Sequence, residues 1–258
     1  MRYVGATTLM TSFGELPDLA PWRVALAVEL GDIPRLSESQ QRVGLHASKQ
    51  EDLNKSPVFG RGRLMVGLPA GFVAELGYTP PIKINGAQPL DLFAAAIGRR
   101  VFEHGPFTAS LRLFGQHGRA RGDITCPARL AGIDDVQQNP FGCRAPSRDV
   151  IELDYYGGDV TAAWTTHGWQ TYAGIGVVRS EFTVHVDAFT FDLHDRSELV
   201  ARGSIPYATV GVRHDVAPGL HAGLEVMYAP LHVQRSFDAP LQNDSLTSIR
   251  LQLRYRFG

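Results

Sequence analysis

The sequence predicts an all-β fold: a transmembrane, antiparallel up-and-down β-barrel of about ten strands, eight and twelve being the neighbouring even counts. Three observations predict it. Apolar residues recur with a period of two, the connections between these runs are short and long by turns, and aromatic residues gather at one set of run ends. Composition removes other classes. In 258 residues, 44% are apolar and 20% charged, with 25 Lys and Arg against 26 Asp and Glu, a balance that excludes a dedicated nucleic-acid binder. No apolar run approaches the ~18 residues of a membrane-spanning helix, so a helical membrane protein is excluded as well.

The strands are read in order near 22–31, 58–68, 72–79, 90–103, 107–117, 149–166, 169–186, 204–214, 220–232 and 247–257. The last is the clearest. Ile249, Leu251, Leu253, Tyr255 and Phe257 occupy odd positions, while Ser248, Arg250, Gln252, Arg254 and Arg256 occupy even ones, which gives one apolar and one strongly polar face. The first run sets Val24, Leu26, Val28 and Leu30 against Arg23 and Glu29, and the third sets Phe72, Ala74, Leu76 and Tyr78 against Glu75. Phe107, Ala109, Leu111 and Leu113 alternate around Arg112, and Leu220, Ala222, Leu224, Val226 and Tyr228 around Glu225. Helical periodicity is nearly absent: 36–56 is polar and irregular, and 90–98 reads equally well as a strand.

Connections at 69–71, 104–106, 167–168 and 215–219 are tight, whereas 32–57, 80–89, 118–148, 187–203 and 233–246 are long and polar. Short turns at one end and long loops at the other are the periplasmic and extracellular sides of a transmembrane barrel, and an even strand count returns both termini to the periplasmic side. Trp22, Phe72, Phe107, Trp164, Trp169 and Phe257 fall at strand ends on that rim, and they include every Trp of the chain. Amphipathic rings favour headgroup depth, so this set reads as the periplasmic aromatic girdle, with Tyr78 and Tyr155 as candidates for the outer one.

With these residues in view, the chain resembles Gram-negative outer-membrane β-barrel proteins as a class over residues 22–258. The final strand, ending on Tyr255 and Phe257, looks like the aromatic-ended signal that such proteins present to the barrel-assembly machinery; Gly258 after the Phe departs from that pattern. The resemblance implies an outer-membrane location, lipid as the surrounding partner and contact with the assembly machinery through the last strand. Residues 1–10 are only mildly apolar and lead into Glu15 and Pro17 with no small-residue cleavage site, so the export signal is expected to have been removed or to lie outside the gene start as read. Residues 1–21, marked as irregular by Gly14, Pro17 and Pro21, are expected to be a periplasmic or lumen-entering segment ahead of a barrel domain at 22–258.

Cys126 and Cys143 bracket residues 127–142 of one predicted extracellular loop. In an oxidising compartment they are expected to pair, at a gain of ~3 kcal/mol on the chain-entropy account. Their spacing does not suit a zinc site, and neither a metal nor a cofactor is expected.

Lys49, Lys55 and Lys83 are the chain's lysines, and all three lie in predicted loops; arginine dominates the strands. Arg23, Arg61, Arg63, Arg112, Arg213, Arg250, Arg254 and Arg256, with Glu29, Glu75, Glu152, Asp154 and Glu225, are read as lumen-facing. A forked guanidinium suits bidentate pairing in a confined interior. With a loop centred near residue 240, Glu225 lies opposite position 255, within reach of Arg254 and Arg256. Paired charges obstruct a channel, and the excess of arginine favours anions. The expected function is therefore a monomeric, Arg-lined barrel, either a narrow channel or a structural or surface protein.

Two alternatives stay open. An omptin-like hydrolase would draw on Asp192 and His194 facing Glu152 and Asp154, but Glu stands where Asp is expected and the two pairs fall on neighbouring strands. No Gly-x-Ser-x-Gly elbow or phosphate-cradling loop occurs, so no enzyme is expected. A soluble lipocalin-like barrel would turn the apolar face inward, against the loop alternation and the girdle.

Overall fold

The computed structural model describes residues 1–43, 49–235 and 240–257. Ten long strands form one closed antiparallel sheet: β1 (Val24–Asp32), β2 (Val58–Gly67), β3 (Phe72–Thr79), β4 (Leu92–His104), β5 (Phe107–His117), β6 (Asp149–Thr166), β7 (Trp169–His185), β8 (Glu198–Ala217), β9 (Leu220–Ala229) and β10 (Leu246–Arg256). Each pairs with its neighbour in sequence. β10 pairs back onto β1, with Leu26 opposite Tyr255 and Leu30 opposite Leu251, so the wall has no free edge. The β6–β7 hairpin turns on His167 and Gly168, whose φ values of 48° and 78° match the two-residue turn that suits the strand twist.

Polarity alternates through the wall. On β10, Ser248, Arg250, Gln252 and Arg254 are buried, while Ile249, Leu251 and Leu253 stand out with more than half of their surface exposed (55%, 55% and 58%). Leu26 and Val28 of β1, Leu76 of β3, Leu111 and Leu113 of β5 and Ile175 and Val177 of β7 continue the outward apolar belt. An apolar exterior around polar inward side chains is the inverse of a soluble barrel. It overturns the lipocalin-like alternative. Trp22, Phe72, Phe107, Trp164, Trp169 and Phe257 are all exposed at strand ends on the rim of short turns. Tyr155 is corrected: it faces the lumen at 3% exposure, and its outward neighbour Tyr156, 68% exposed, takes the outer position.

β6, β7 and β8 run for 18, 17 and 20 residues. At about 3.3 Å per residue they reach some 55–65 Å, far beyond the ~9–11 residues that cross a bilayer, so their upper halves stand in water. This explains why β8 begins at Glu198 and not near 204: above the membrane the outer face also meets water, and the alternation that marks a strand fades. The disulfide Cys126–Cys143 sits in this upper region, packed with Val186 and Ala188. Asp149 ties the loops beside it. Its carboxylate accepts from the amides of Ile124, Thr125 and Asp187 and from Ser147 Oγ.

Of the two placements expected for the N-terminal segment, the structure has the lumen-entering one, with a short helix that the sequence did not indicate. Residues Arg2–Thr7 form a short helix, α1, and the following residues run down the lumen to Ala20 without regular structure, bending at Gly14 and Glu15. Tyr3 Oη donates to Pro34 O in the loop after β1, whereas Trp22 N donates to Gly67 O at the opposite rim, so the segment passes from the mouth of long loops to the rim of short turns. No helical period marks residues 2–7; packing forms the helix. Tyr3, Ala6, Leu9 and Met10 join Phe114, Leu153, Tyr155, Phe182 and Tyr207 in the main apolar cluster. Lower down, Leu16 and Leu19 pack on Ala25, Ala27, Met65 and Val73. Gly5 permits the helix to approach the wall: a Cβ there would lie 2.2 Å from Phe182 Cζ.

Candidate functional site: the plugged lumen

A segment with no regular structure and no strand partner leaves backbone carbonyls without hydrogen bonds, and burial makes that costly. Inward arginines supply the donors. Arg250 donates to Thr7 O (3.0 Å) and Leu9 O (2.5 Å), Arg61 to Thr8 O (2.8 Å), Arg112 to Met10 O (2.5 Å) and Arg63 to Thr11 O (2.9 Å). Tyr155 Oη also donates to Thr8 O and accepts from Met10 N, 2.9 Å in each case. Farther down, Arg213 and Arg254 donate to Glu15 O at 3.2 and 3.5 Å. The wall therefore holds the plug chiefly by its main chain.

The same arginines form a charge belt that runs from β10 through β1, β2 and β3 and over β4 to β5 and β6. Arg250 of β10 lies 3.7 Å from Glu29 of β1, and Glu29 lies 3.3 Å from Arg63 of β2. Arg63 pairs with Glu75 of β3 at 2.5 Å, Glu75 lies 3.4 Å from Arg112 of β5, and Arg112 pairs with Asp159 of β6 at 2.7 Å. Tyr207 of β8 donates to Asp159 at 2.8 Å. Glu225 of β9 meets the plug directly, accepting from Thr11 Oγ1 at 2.5 Å. On β4 the inward residues Ala94, Ala96 and Gly98 are small, and a Cβ on Gly98 would stand 2.7 Å from Leu16 Cδ1 of the plug.

Of the residues read as lumen-facing, Glu29, Arg61, Arg63, Glu75, Arg112, Arg213, Glu225, Arg250 and Arg254 come together inside the barrel. Arg23 and Arg256 do not: both are exposed at the rim of short turns. Glu152 and Asp154 are corrected. They face outward on the upper half of β6, with His185 and His117 as partners, while Ile151 and Leu153 fill the inward positions. Asp159 is the inward acid of β6, and the strand's own lower half carries the signal: Trp164 and Val160 point out, so odd positions point in. The register of Glu225 is also corrected. It lies opposite Arg250 and not position 255, because the stretch between Ala229 and Leu246 is centred between 237 and 238.

The hydrolase residues do not assemble. Asp192 pairs with Arg144, while His194 contacts Asp187 at 2.6 Å and stacks on Phe189. Among the described residues no group of three or more His, Cys, Asp or Glu side chains is arranged to hold a metal ion.

No protein-family model matches the chain, and no curated protein matches it in sequence. Among solved structures, Neisserial surface protein A aligns at 8% identity over 91% of this chain and 97% of its own, with a TM-score of 0.37. The outer membrane protease OmpT from Escherichia coli aligns at 9% identity over 92% and 94%, with a TM-score of 0.38. A Pseudomonas aeruginosa FadL homologue aligns at 12% identity over 91% and 72%, with a TM-score of 0.39.

Proposed function

We propose that this outer-membrane β-barrel is held shut by its own N-terminal segment and serves as a structural or surface-facing barrel with, at most, a narrow anion leak. The observation that carries the reading is the row of guanidinium and phenol donors on the carbonyls of Thr7 through Thr11. Charge-assisted hydrogen bonds of this kind are among the strongest a lumen can offer, and they do not depend on the plug's side chains. On this reading the barrel works as a monomer among lipids, and β10 is the strand offered to the assembly machinery.

Planar-bilayer recording tests it. The unmodified protein should be silent or show small anion-selective events, whereas deletion of residues 1–19 should give larger steps that favour anions, because the arginines are then uncovered. A wide, cation-selective pore in the unmodified protein would overturn the proposal. Should the deletion fail to assemble, Ser12→Cys with Thr161→Cys serves in its place. The two hydroxyls lie 2.7 Å apart, so the pair should oxidise within assembled barrels, and two free thiols there would count against a resident plug.

A further inference from the structure

At the periplasmic end of the lumen a cavity of about 210 Å³ opens between the plug at Glu15 to Asp18 and the lower ends of β4 and β6 to β10. Arg213 of β8 and Arg254 of β10 line it, and each donates a single N–H to the same acceptor, Glu15 O, at 3.2 and 3.5 Å. Neither has a carboxylate within salt-bridge distance among the described residues, and the Nε of each is buried without an acceptor. Arg254 is only 3% exposed.

The surrounding acids are engaged elsewhere. Glu15 pairs with Arg100 and accepts from Gln170 Nε2, and Asp215 pairs with His221 at 2.5 Å. Asp18 is exposed on the rim, as is Arg256. The contrast with the belt above is sharp: Arg63 and Arg112 each meet two carboxylates. An uncompensated buried charge is costly, so two guanidiniums sharing one neutral carbonyl beside an open cavity are arranged for an anion that enters from the periplasmic side.

We propose that this cavity is a binding site for a phosphate-type oxyanion, held between Arg213 and Arg254. A tetrahedral anion presents several acceptor oxygens to two donor forks at once, and its charge matches theirs. Free phosphate and the headgroup phosphate of an inner-leaflet phospholipid share this chemistry. The site needs the plug only as a wall, so it stands apart from the question of conductance.

The test uses the full chain in a neutral sugar-headgroup detergent, with inorganic phosphate titrated against chloride at constant ionic strength. Trp169 lines the cavity and reports binding by fluorescence; thermal unfolding gives a second readout. A saturable fluorescence change and a rise in Tm are expected. Arg254→Met should lose both responses yet be no less stable than the unmodified protein without phosphate, since it removes an uncompensated buried charge. Arg250→Met, which removes a guanidinium already satisfied by Leu9 O and Thr7 O, should lower stability and keep the phosphate response. Should Arg254→Met fail to fold, Arg213→Met replaces it, and the titration of the unmodified protein still decides. Micelles doped with phosphatidylglycerol or with a phosphate-free galactolipid separate the sources: a response to phosphatidylglycerol alone assigns the lipid, and one to inorganic phosphate assigns the free ion. No saturable response to either source, or equal responses in Arg254→Met, would overturn the proposal.

Discussion

Replacing Arg112 by Met should loosen the plug and the wall together. Arg112 Nη2 donates to Met10 O (2.5 Å) and Asp159 Oδ2 (2.7 Å), Nε donates to Asp159 Oδ1 (3.3 Å), and Nη1 reaches Glu75 (3.4 Å). Met fills much of the same volume, so the loss is electrostatic. Among the described residues Asp159 would keep only the Tyr207 hydroxyl, Glu75 would keep Arg63, and Met10 O would lose its donor. Breaking a buried ion pair from one side costs about 3–5 kcal/mol, and an orphaned carbonyl adds about 1–3 kcal/mol. A loss of about 5 kcal/mol is expected, read from urea unfolding in lipid vesicles by Trp fluorescence and by the mobility of unheated samples on gels. Arg112→Met combined with Asp159→Leu should recover part of it, because an apolar pair in place of a buried ion pair is often neutral. A single-variant loss under 1 kcal/mol, or strict additivity in the double variant, would refute the belt as a mechanical unit.

Gly5→Leu should displace α1 from Phe182 and raise proteolysis within residues 1–10 while the barrel persists in the membrane, since the added side chain has no room beside the ring. Cys143→Ser should leave barrel Tm within a few degrees yet expose residues 127–142 to protease, because the disulfide closes a loop and not the wall. Removing residues 257–258 should cut membrane-assembled protein several-fold in a cell-fractionation assay; normal yield would argue against β10 as the assembly signal. Asp149→Ala should unpin the loops near the disulfide by removing the acceptor of the Ile124, Thr125 and Asp187 amides, at a cost of about 2 kcal/mol read by hydrogen exchange at those amides.

The wall was legible wherever lipid lies on one side and a polar lumen on the other, since those two solvents impose a strict period of two. β10 is the clearest case, with Ile249, Leu251 and Leu253 out and Arg250, Gln252 and Arg254 in. Legibility ended where that contrast ended. On the upper half of β6 the outside is water, so Glu152 and Asp154 carry the polar face outward while Leu153 and Tyr155 point in toward an apolar plug. Register across a long loop was not readable either: turn-forming residues are spread through the stretch between β9 and β10 (Asp238, Pro240, Asn243, Asp244), so none singles out its centre, and Glu225 fell opposite Arg250. The plug was the least legible element, because its residues are recognised by carbonyls that every sequence possesses.

Main-chain recognition also specifies how the segment sits in the lumen. Thr8, Leu9, Met10 and Thr11 each present a carbonyl to an inward donor, so the register of the plug is set by the spacing of Arg61, Arg63, Arg112, Arg250 and Tyr155 around the wall. Side chains supply the remaining discrimination at a few points: Thr11 on Glu225, Ser12 on Thr161, Glu15 between Arg100 and Gln170, and Gly5 under Phe182. A main-chain clamp tolerates exchange of Leu9 or Met10 for other apolar residues but not a shift by one residue, which would carry Gly5 off Phe182 and Thr11 off Glu225 together. The arginines therefore have two roles that cannot be separated. They hold the wall in a belt of ion pairs, and by the same N–H groups they fix which stretch of chain fills the lumen.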